Sequence, residues 1–217
     1  MLINKQRLPV VIGKNGETKK TIEKLTRTRI EIDSESGEVT ILPREMLPDQ
    51  EEPPAAEDME AVEEKLITPE DEIEAKIENL GTFNVWIAEN IIRAINRGFN
   101  PQKAFKLLSD EYMLEIIDLE AILGRSEKAI TRVKGRIIGE SGKIRSVIEQ
   151  YTTSNVSVFG NTIAIIGQYD DIRVARKAIQ MLIQGAPHKT VTAFLEKKYK
   201  EKKDEDTRKL WKPDFSE

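Results

Sequence analysis

Gly139-Glu140-Ser141-Gly142 constrains the fold more than any other stretch, because it recurs. Gly13-Lys14-Asn15-Gly16 lies 126 residues earlier, and the two regions align without a gap over 21 positions, from Ile12 to Ile32 and from Ile138 to Val158. Six positions are identical: Ile12/Ile138, Gly13/Gly139, Gly16/Gly142, Ile22/Ile148, Glu23/Glu149 and Thr26/Thr152. The apolar pattern also agrees at Ile30/Val156 and Ile32/Val158. Downstream of the second loop, Ile144, Val147, Ile148 and Tyr151 recur at spacings of three and four, which predicts a helix starting directly after the glycine. Glycine gives the loop conformational freedom and removes side-chain bulk, so another backbone can approach closely. The N–H groups and positive dipole end of the following helix then point into the loop, where a phosphate is the natural occupant.

The same order of elements is expected around both loops. In the first half, Met1 to Ile3 reads as the stub of a strand and Lys5 to Ile12 as a short helix. Glu17 to Thr26 follows as a helix, then Arg29 to Asp33 and Glu38 to Leu42 as a strand pair across Ser34-Glu35-Ser36-Gly37. Phe83 to Arg97 is a strongly apolar helix that should close this half over its sheet. In the second half, Asn100-Pro101 opens a helix to Leu108, and Met113 to Leu119 is a strand. Ser126 to Ile138 is a basic helix, and Asn155 to Phe159 with Thr162 to Ile166 form a hairpin across Gly160-Asn161. Asp170 to Gln184 is the closing helix, and Pro187 to Lys203 one more.

Between the halves, residues 43–81 hold three basic and fourteen acidic residues, a net charge of −11. Pro43, Pro48, Pro53 and Pro54 punctuate the first part, which cannot bury enough apolar surface to offset chain entropy and should stay unstructured to residue 67. Thr68-Pro69-Glu70 starts a spacer helix that Gly81 should stop. This one acidic block hides a basic remainder. Residues 1–42 carry net +2 and residues 82–217 net +5, although the chain as a whole is −4.

Composition also narrows the chemistry. There are no cysteines, so disulfides and thiolate metal sites are excluded, and a reducing cytoplasm suits the chain. No apolar run approaches the roughly 20 residues of a membrane span. The single histidine, His188, has no partner at metal-ligand spacing. Gly13-Lys14-Asn15 and Gly142-Lys143-Ile144 lack the Ser/Thr of a phosphate-binding Walker loop, and Ser141 has no nearby base. Neither an enzyme nor a cofactor or metal site is expected.

An Ile-Gly-x-x-Gly repeated in phase, each time leading into a helix and a strand pair, is the pattern of a KH domain, whose GXXG loop clamps single-stranded RNA or DNA. The fold class is therefore α/β (α+β): two tandem type I KH domains, each a three-stranded sheet packed by three helices. The first spans residues 1–98, interrupted by the acidic insert 43–81; the second spans 99–190; residues 191–217 form a charged C-terminal helix and tail. Each groove lies between the GXXG helix pair and the strand that follows. Backbone amides of Gly13 to Gly16 and of Gly139, Glu140, Ser141 and Gly142 should face the sugar-phosphate backbone. Bases should rest on Ile12, Ile22 and Ile30 in one domain and Ile138, Ile148 and Val156 in the other. Lys14, Lys19 and Lys20, and Arg136, Lys143 and Arg145, are the candidate phosphate neighbours, with Asn15 at the second variable position of the first loop. A carboxylate at Glu140 would repel a phosphate, which favours a competing reading of the chain as a protein-interaction scaffold in which one KH domain binds RNA weakly or not at all.

Gly135-Arg136-Ile137-Ile138-Gly139, Ile12-Gly13-Lys14-Asn15-Gly16-Glu17-Thr18-Lys19-Lys20 and Arg97-Gly98-Phe99-Asn100-Pro101-Gln102-Lys103-Ala104-Phe105-Lys106-Leu107-Leu108 together resemble one family. It is the archaeal KH-domain protein of small-ribosomal-subunit assembly, similar to the eukaryotic partner of Nob. The likeness covers residues 1–42 and about 82–190. It implies binding to the 3′ end of small-subunit ribosomal RNA, maturation of that RNA beside the Nob endonuclease, and contact with the alpha subunit of initiation factor two. The chain departs from the family pattern in its nearly absent first strand, its long acidic insert and the acid at Glu140.

Overall fold

A computed structural model describes the backbone of residues 1–44 and 70–210. The chain divides into two compact units, Met1–Ile92 and Arg93–Glu217. The expected unstructured stretch lies, from residue 45 onward, outside the described residues, as does the expected helix start at Thr68.

In the first unit, α1 (Leu8–Ile12) carries Pro9 in its first turn, where the missing N–H is no loss. It is shorter than expected, because Lys5 to Arg7 form a turn in which Asn4 accepts the Gln6 amide on its side chain and the Arg7 amide on its carbonyl. The first GXXG loop leads into α2 (Glu17–Thr26), then β1 (Thr28–Ile32) and β2 (Val39–Pro43), paired antiparallel with Ile30 opposite Ile41. Asp33 shapes the turn between them. Its carboxylate accepts the Ser36 hydroxyl at 2.5 Å and the Glu35 amide at 2.9 Å, and these bonds hold its pKa below the usual carboxylate range.

The first unit departs from the expected three-stranded sheet. Among the described residues, only β1 and β2 form a ladder, and the N-terminal stub joins through an isolated antiparallel bridge, Leu2 to Glu38. Ile3 donates to Gly37 at 2.9 Å, Val39 donates to Met1 at 2.8 Å, and the terminal amine of Met1 donates back to the Val39 carbonyl at 2.7 Å. Gly81 also does not stop a helix. The spacer and the apolar segment form one 27-residue helix, α3 (Glu70–Asn96). An interior glycine costs a helix only about 1 kcal/mol. Ile87, Ala88, Ile91, Ile92, Ala94 and Ile95 on the same helix are all buried, at roughly 1.5–3 kcal/mol for each large side chain.

The second unit is more complete. After α4 (Pro101–Ala104) and a single 3-10 turn (Phe105–Leu108), β3 (Met113–Asp118), β4 (Asn155–Phe159) and β5 (Thr162–Gly167) form an antiparallel sheet in the order β3-β5-β4. The expected strand stops one residue early, because Asp118 caps an unexpected short helix, α5 (Leu119–Leu123), accepting the Glu120 and Ala121 amides. Then come α6 (Glu127–Ile138), the second GXXG loop, α7 (Lys143–Thr152), α8 (Tyr169–Ile183) and α9 (His188–Leu210).

Ile163 and Ile165 of the central strand join Ile130, Val133, Ile137, Ile148, Ile172 and Ile179 in one apolar core. Ala164 and Ile166, which point to the opposite face by strand alternation, are buried too. The linking segment approaches β4 here: Ser157 donates to the Arg97 carbonyl at 2.9 Å, and a side chain at Gly98 would strike Ser157 and Phe159. The expected helix from Pro187 is present as α9 and packs into this core. Val191 and Leu195 are buried in the same cluster, and Lys202 pairs with the buried Asp171 at 2.6 Å.

Candidate nucleic-acid interface

The two loops have nearly the same backbone. Gly13, Asn15 and Gly16 have φ/ψ of 77/176°, 55/27° and 78/11°; Gly139, Ser141 and Gly142 have 71/179°, 52/26° and 80/10°. The first glycine of each lies in a region essentially closed to other residues. Space forbids a side chain there as well: a Cβ on Gly13 would sit 2.7 Å from the Thr18 amide nitrogen, and one on Gly139 would sit 2.9 Å from Ile144 Cβ. Thr18 and Ile144 are equivalent positions of the repeat, so the loop is pressed against the first turn of its own helix in both copies. The last glycine is left-handed, but a Cβ there would meet nothing closer than the tip of Lys20 at 4.0 Å or of Arg145 at 3.9 Å.

Not all the loop amides are available. Gly13 donates to Pro9 at 2.9 Å and Gly139 to Gly135 at 2.8 Å, while Gly16 and Gly142 close their own turns onto Gly13 and Gly139. The donors left for a ligand are the middle pair, Lys14 and Asn15 in one loop and Glu140 and Ser141 in the other. Neither α2 nor α7 has a side-chain N-cap, so each presents its dipole end uncovered by a capping group.

Around the first loop, Lys14, Asn15 and Lys20 are exposed, and with Glu17, Thr21 and Lys24 they line a shallow depression. Lys24 was missed in the sequence, although it lies four residues beyond Lys20 on the same face. Lys19 is half-buried and lies 3.8 Å from Glu23. Around the second loop, Glu140, Ser141, Lys143 and Arg145 are exposed. Arg136 is not a free cation: its guanidinium donates to the Ala186 carbonyl at 2.7 Å, and its own carbonyl meets His188 Nε2 at 3.0 Å. It ties the α8–α9 turn to the root of the loop.

The expected base floor needs correction. Ile22, Ile30 and Ile148 are 0 % exposed and Val156 is 3 %, so these are core residues that no base can touch. Only Ile12 and Ile138, both half-buried, remain at the groove. The helix and the strand that flank it are joined by polar contacts instead. Glu23 Oε1 accepts the Ile30 amide at 2.8 Å, and Glu149 Oε1 accepts the Val156 amide at 2.8 Å. These acids are one of the six identities of the repeat, a signal the sequence offered and apolar spacing could not interpret. Lys103, from α4, lies 3.6 Å from Glu149, where Lys19 serves Glu23.

Among the described residues no cluster of acids and histidine could hold a metal ion, and no helix is long and apolar enough to cross a membrane. Residues 113–200 match the eukaryotic-type KH domain (KH-domain type I), and residues 1–43 match the KH domain. A KH domain-containing protein of Methanocaldococcus jannaschii is 42% identical over 195 residues, covering 90% of this chain and 71% of that protein. The pre-rRNA-processing protein PNO1 of Coccidioides immitis is 33% identical over 100 residues, 46% of this chain and 39% of that protein. The crystal structure of Dim2p from Pyrococcus horikoshii shares 40% identity at a TM-score of 0.70, covering 91% of this chain and 96% of that one. A second structure from that organism, a complex of a/eIF2alpha, aDim2p and rRNA, shares 39% identity at a TM-score of 0.72 and covers 93% of each chain. On this identity and coverage, the chain belongs to the archaeal KH-domain family homologous to the pre-rRNA-processing proteins PNO1 and Dim2.

Proposed function

We propose that the chain is a cytoplasmic, non-enzymatic RNA-binding factor of small-ribosomal-subunit assembly, holding single-stranded RNA near the 3′ end of small-subunit rRNA through both GXXG loops. The observation that carries this is the near-identity of the two loops in backbone geometry, each with two amides that make no backbone bond, just before a helix without a side-chain cap. Phosphates set the register at the Lys14 and Asn15 amides and Lys20 in the first domain, and at the Glu140 and Ser141 amides, Lys143 and Arg145 in the second, with Gly16 and Gly142 closing the turn behind them. Gly13, Gly139, Ile12 and Ile138 shape the groove, and Lys19 and Arg136 act through the structure around it. The similar complex of a/eIF2alpha, aDim2p and rRNA supports both the RNA and the alpha subunit of initiation factor two as partners. The Nob endonuclease would act on the same RNA end.

The test is a titration with single-stranded RNA matching the small-subunit 3′ end at two salt concentrations. Affinity should fall with salt, with a logarithmic slope near −0.7 per phosphate contact. Lys14→Asp with Asn15→Asp, and Glu140→Asp with Ser141→Asp, should each weaken binding, the first by about tenfold or more because it also removes a cation and adds two charges. A second reading is favoured by Glu140, an exposed acid within the second loop itself. On that reading the second domain presents a protein-binding surface, and only the first pair of substitutions affects RNA binding.

A further inference from the structure

We propose that Glu23 and Glu149 determine base selectivity, favouring bases with an exocyclic amine on the Watson–Crick edge over uracil. The inference rests on the RNA-binding reading above and names what each groove selects.

β1 and β4 are edge strands, each bonded to a partner on one side only. Ile30 faces Ile41 and Val156 faces Ile165 across the ladder, yet the amides of Ile30 and Val156 go to the glutamates, so they point to the open side. A base entering between the GXXG helix and this strand would ordinarily meet a bare N–H donor there. Here it meets a carboxylate. The glutamate covers the donor with Oε1 and offers Oε2 as an acceptor, so the edge changes from donating to accepting.

Three features separate this from a plain structural brace. The arrangement occurs twice at the same 2.8 Å distance, in domains that share only six identities over the aligned stretch. Both side chains keep access to solvent, at 23% and 21% exposure, which a brace does not require. Each acid has a lysine against Oε1, supplied by the same helix in one domain and by α4 in the other, which offsets its repulsion of the RNA backbone. The base chemistry follows. Adenine, cytosine and guanine present an amino group to such an acceptor, and glutamate accepting from the cytosine amine is a recurrent pairing. The single edge donor of uracil, N3–H, is flanked by two carbonyl oxygens that a carboxylate repels.

The experiment measures binding of the full chain to ten-nucleotide oligo(C), oligo(A) and oligo(U). Oligo(C) and oligo(A) should bind about tenfold tighter than oligo(U) or better. In the Glu23→Gln, Glu149→Gln variant the side-chain carbonyl still accepts the strand amide, so the fold is kept while the preference falls below about threefold or inverts. A second measurement needs no mutation: replacing cytidine by its analogue without the 4-amino group should weaken binding to the wild-type chain by the same factor. Equal binding of all three homopolymers, a preference that survives the Gln variant, or indifference to the missing amine overturns the assignment and leaves RNA binding standing. Absence of binding to every oligonucleotide and to the rRNA 3′ end overturns both.

Discussion

Thr152 Oγ1 lies 2.6 Å from Ser154 Oγ, in a buried hydroxyl pair at the junction of α7 and β4. Thr152 also donates to the Ile148 carbonyl at 2.7 Å, so Ser154 must be the donor within the pair. The first domain repeats the arrangement, with Thr26 donating to Ile22 at 2.7 Å and meeting Thr28 at 2.8 Å. The repeat thus preserves the joint that fixes helix to strand behind each groove. Thr152→Val strands the Ser154 hydroxyl and should lower stability by about 1–3 kcal/mol, because a buried donor loses its acceptor. Adding Ser154→Ala should recover part of the loss. Urea unfolding of the two single variants and the double variant checks this, and strictly additive costs would contradict the pairing.

Much of this was legible because the repeat supplied register. Once Gly13 and Gly139 were aligned, the helices and strands after them followed from spacing, and Glu17–Thr26 and Asn155–Phe159 have the bounds that the pattern predicts. The failures have physical causes of two kinds. Local preference predicts a helix end at Gly81 and a strand through Leu119, where tertiary burial and the Asp118 cap decide instead. Position in the motif predicts the base floor and the phosphate contact of Arg136. Apolar spacing shows that Ile22 and Ile148 face inward, but not that the sheet seals them off. The Arg136 partner, Ala186, is 50 residues away, a contact that no local pattern encodes. The Glu23/Glu149 identity is visible in the sequence, but its meaning depends on a strand edge.

The glycines of one loop should differ sharply in what they tolerate. Gly139→Ala meets Ile144 and occupies a backbone region closed to alanine, so it should cost about 1–3 kcal/mol from strain alone and more from the clash. Gly142→Asn places a residue that accepts the left-handed conformation where a Cβ makes only an ordinary contact with the tip of Arg145, and should cost less than about 1 kcal/mol. Thermal unfolding ranks the two, and equal losses would mean that the loop is held by something other than its fit against α7.

Arg136 and Arg145 flank the second loop with the same charge and should fail in opposite ways. Arg136→Gln gives up a charged hydrogen bond to Ala186 and loosens the α8–α9 turn, so it should lower stability by about 1.5–3 kcal/mol. Its guanidinium is committed to that carbonyl, so RNA affinity measured on the folded variant should change little. Arg145→Gln alters an exposed side chain and should leave the unfolding midpoint where it was. It should weaken RNA binding and make the salt slope shallower by about 0.7, the share of one phosphate contact. Measuring unfolding and salt-dependent binding on both variants separates the roles. A salt slope that changes for Arg136→Gln and not for Arg145→Gln would place the phosphate path on the other side of the loop.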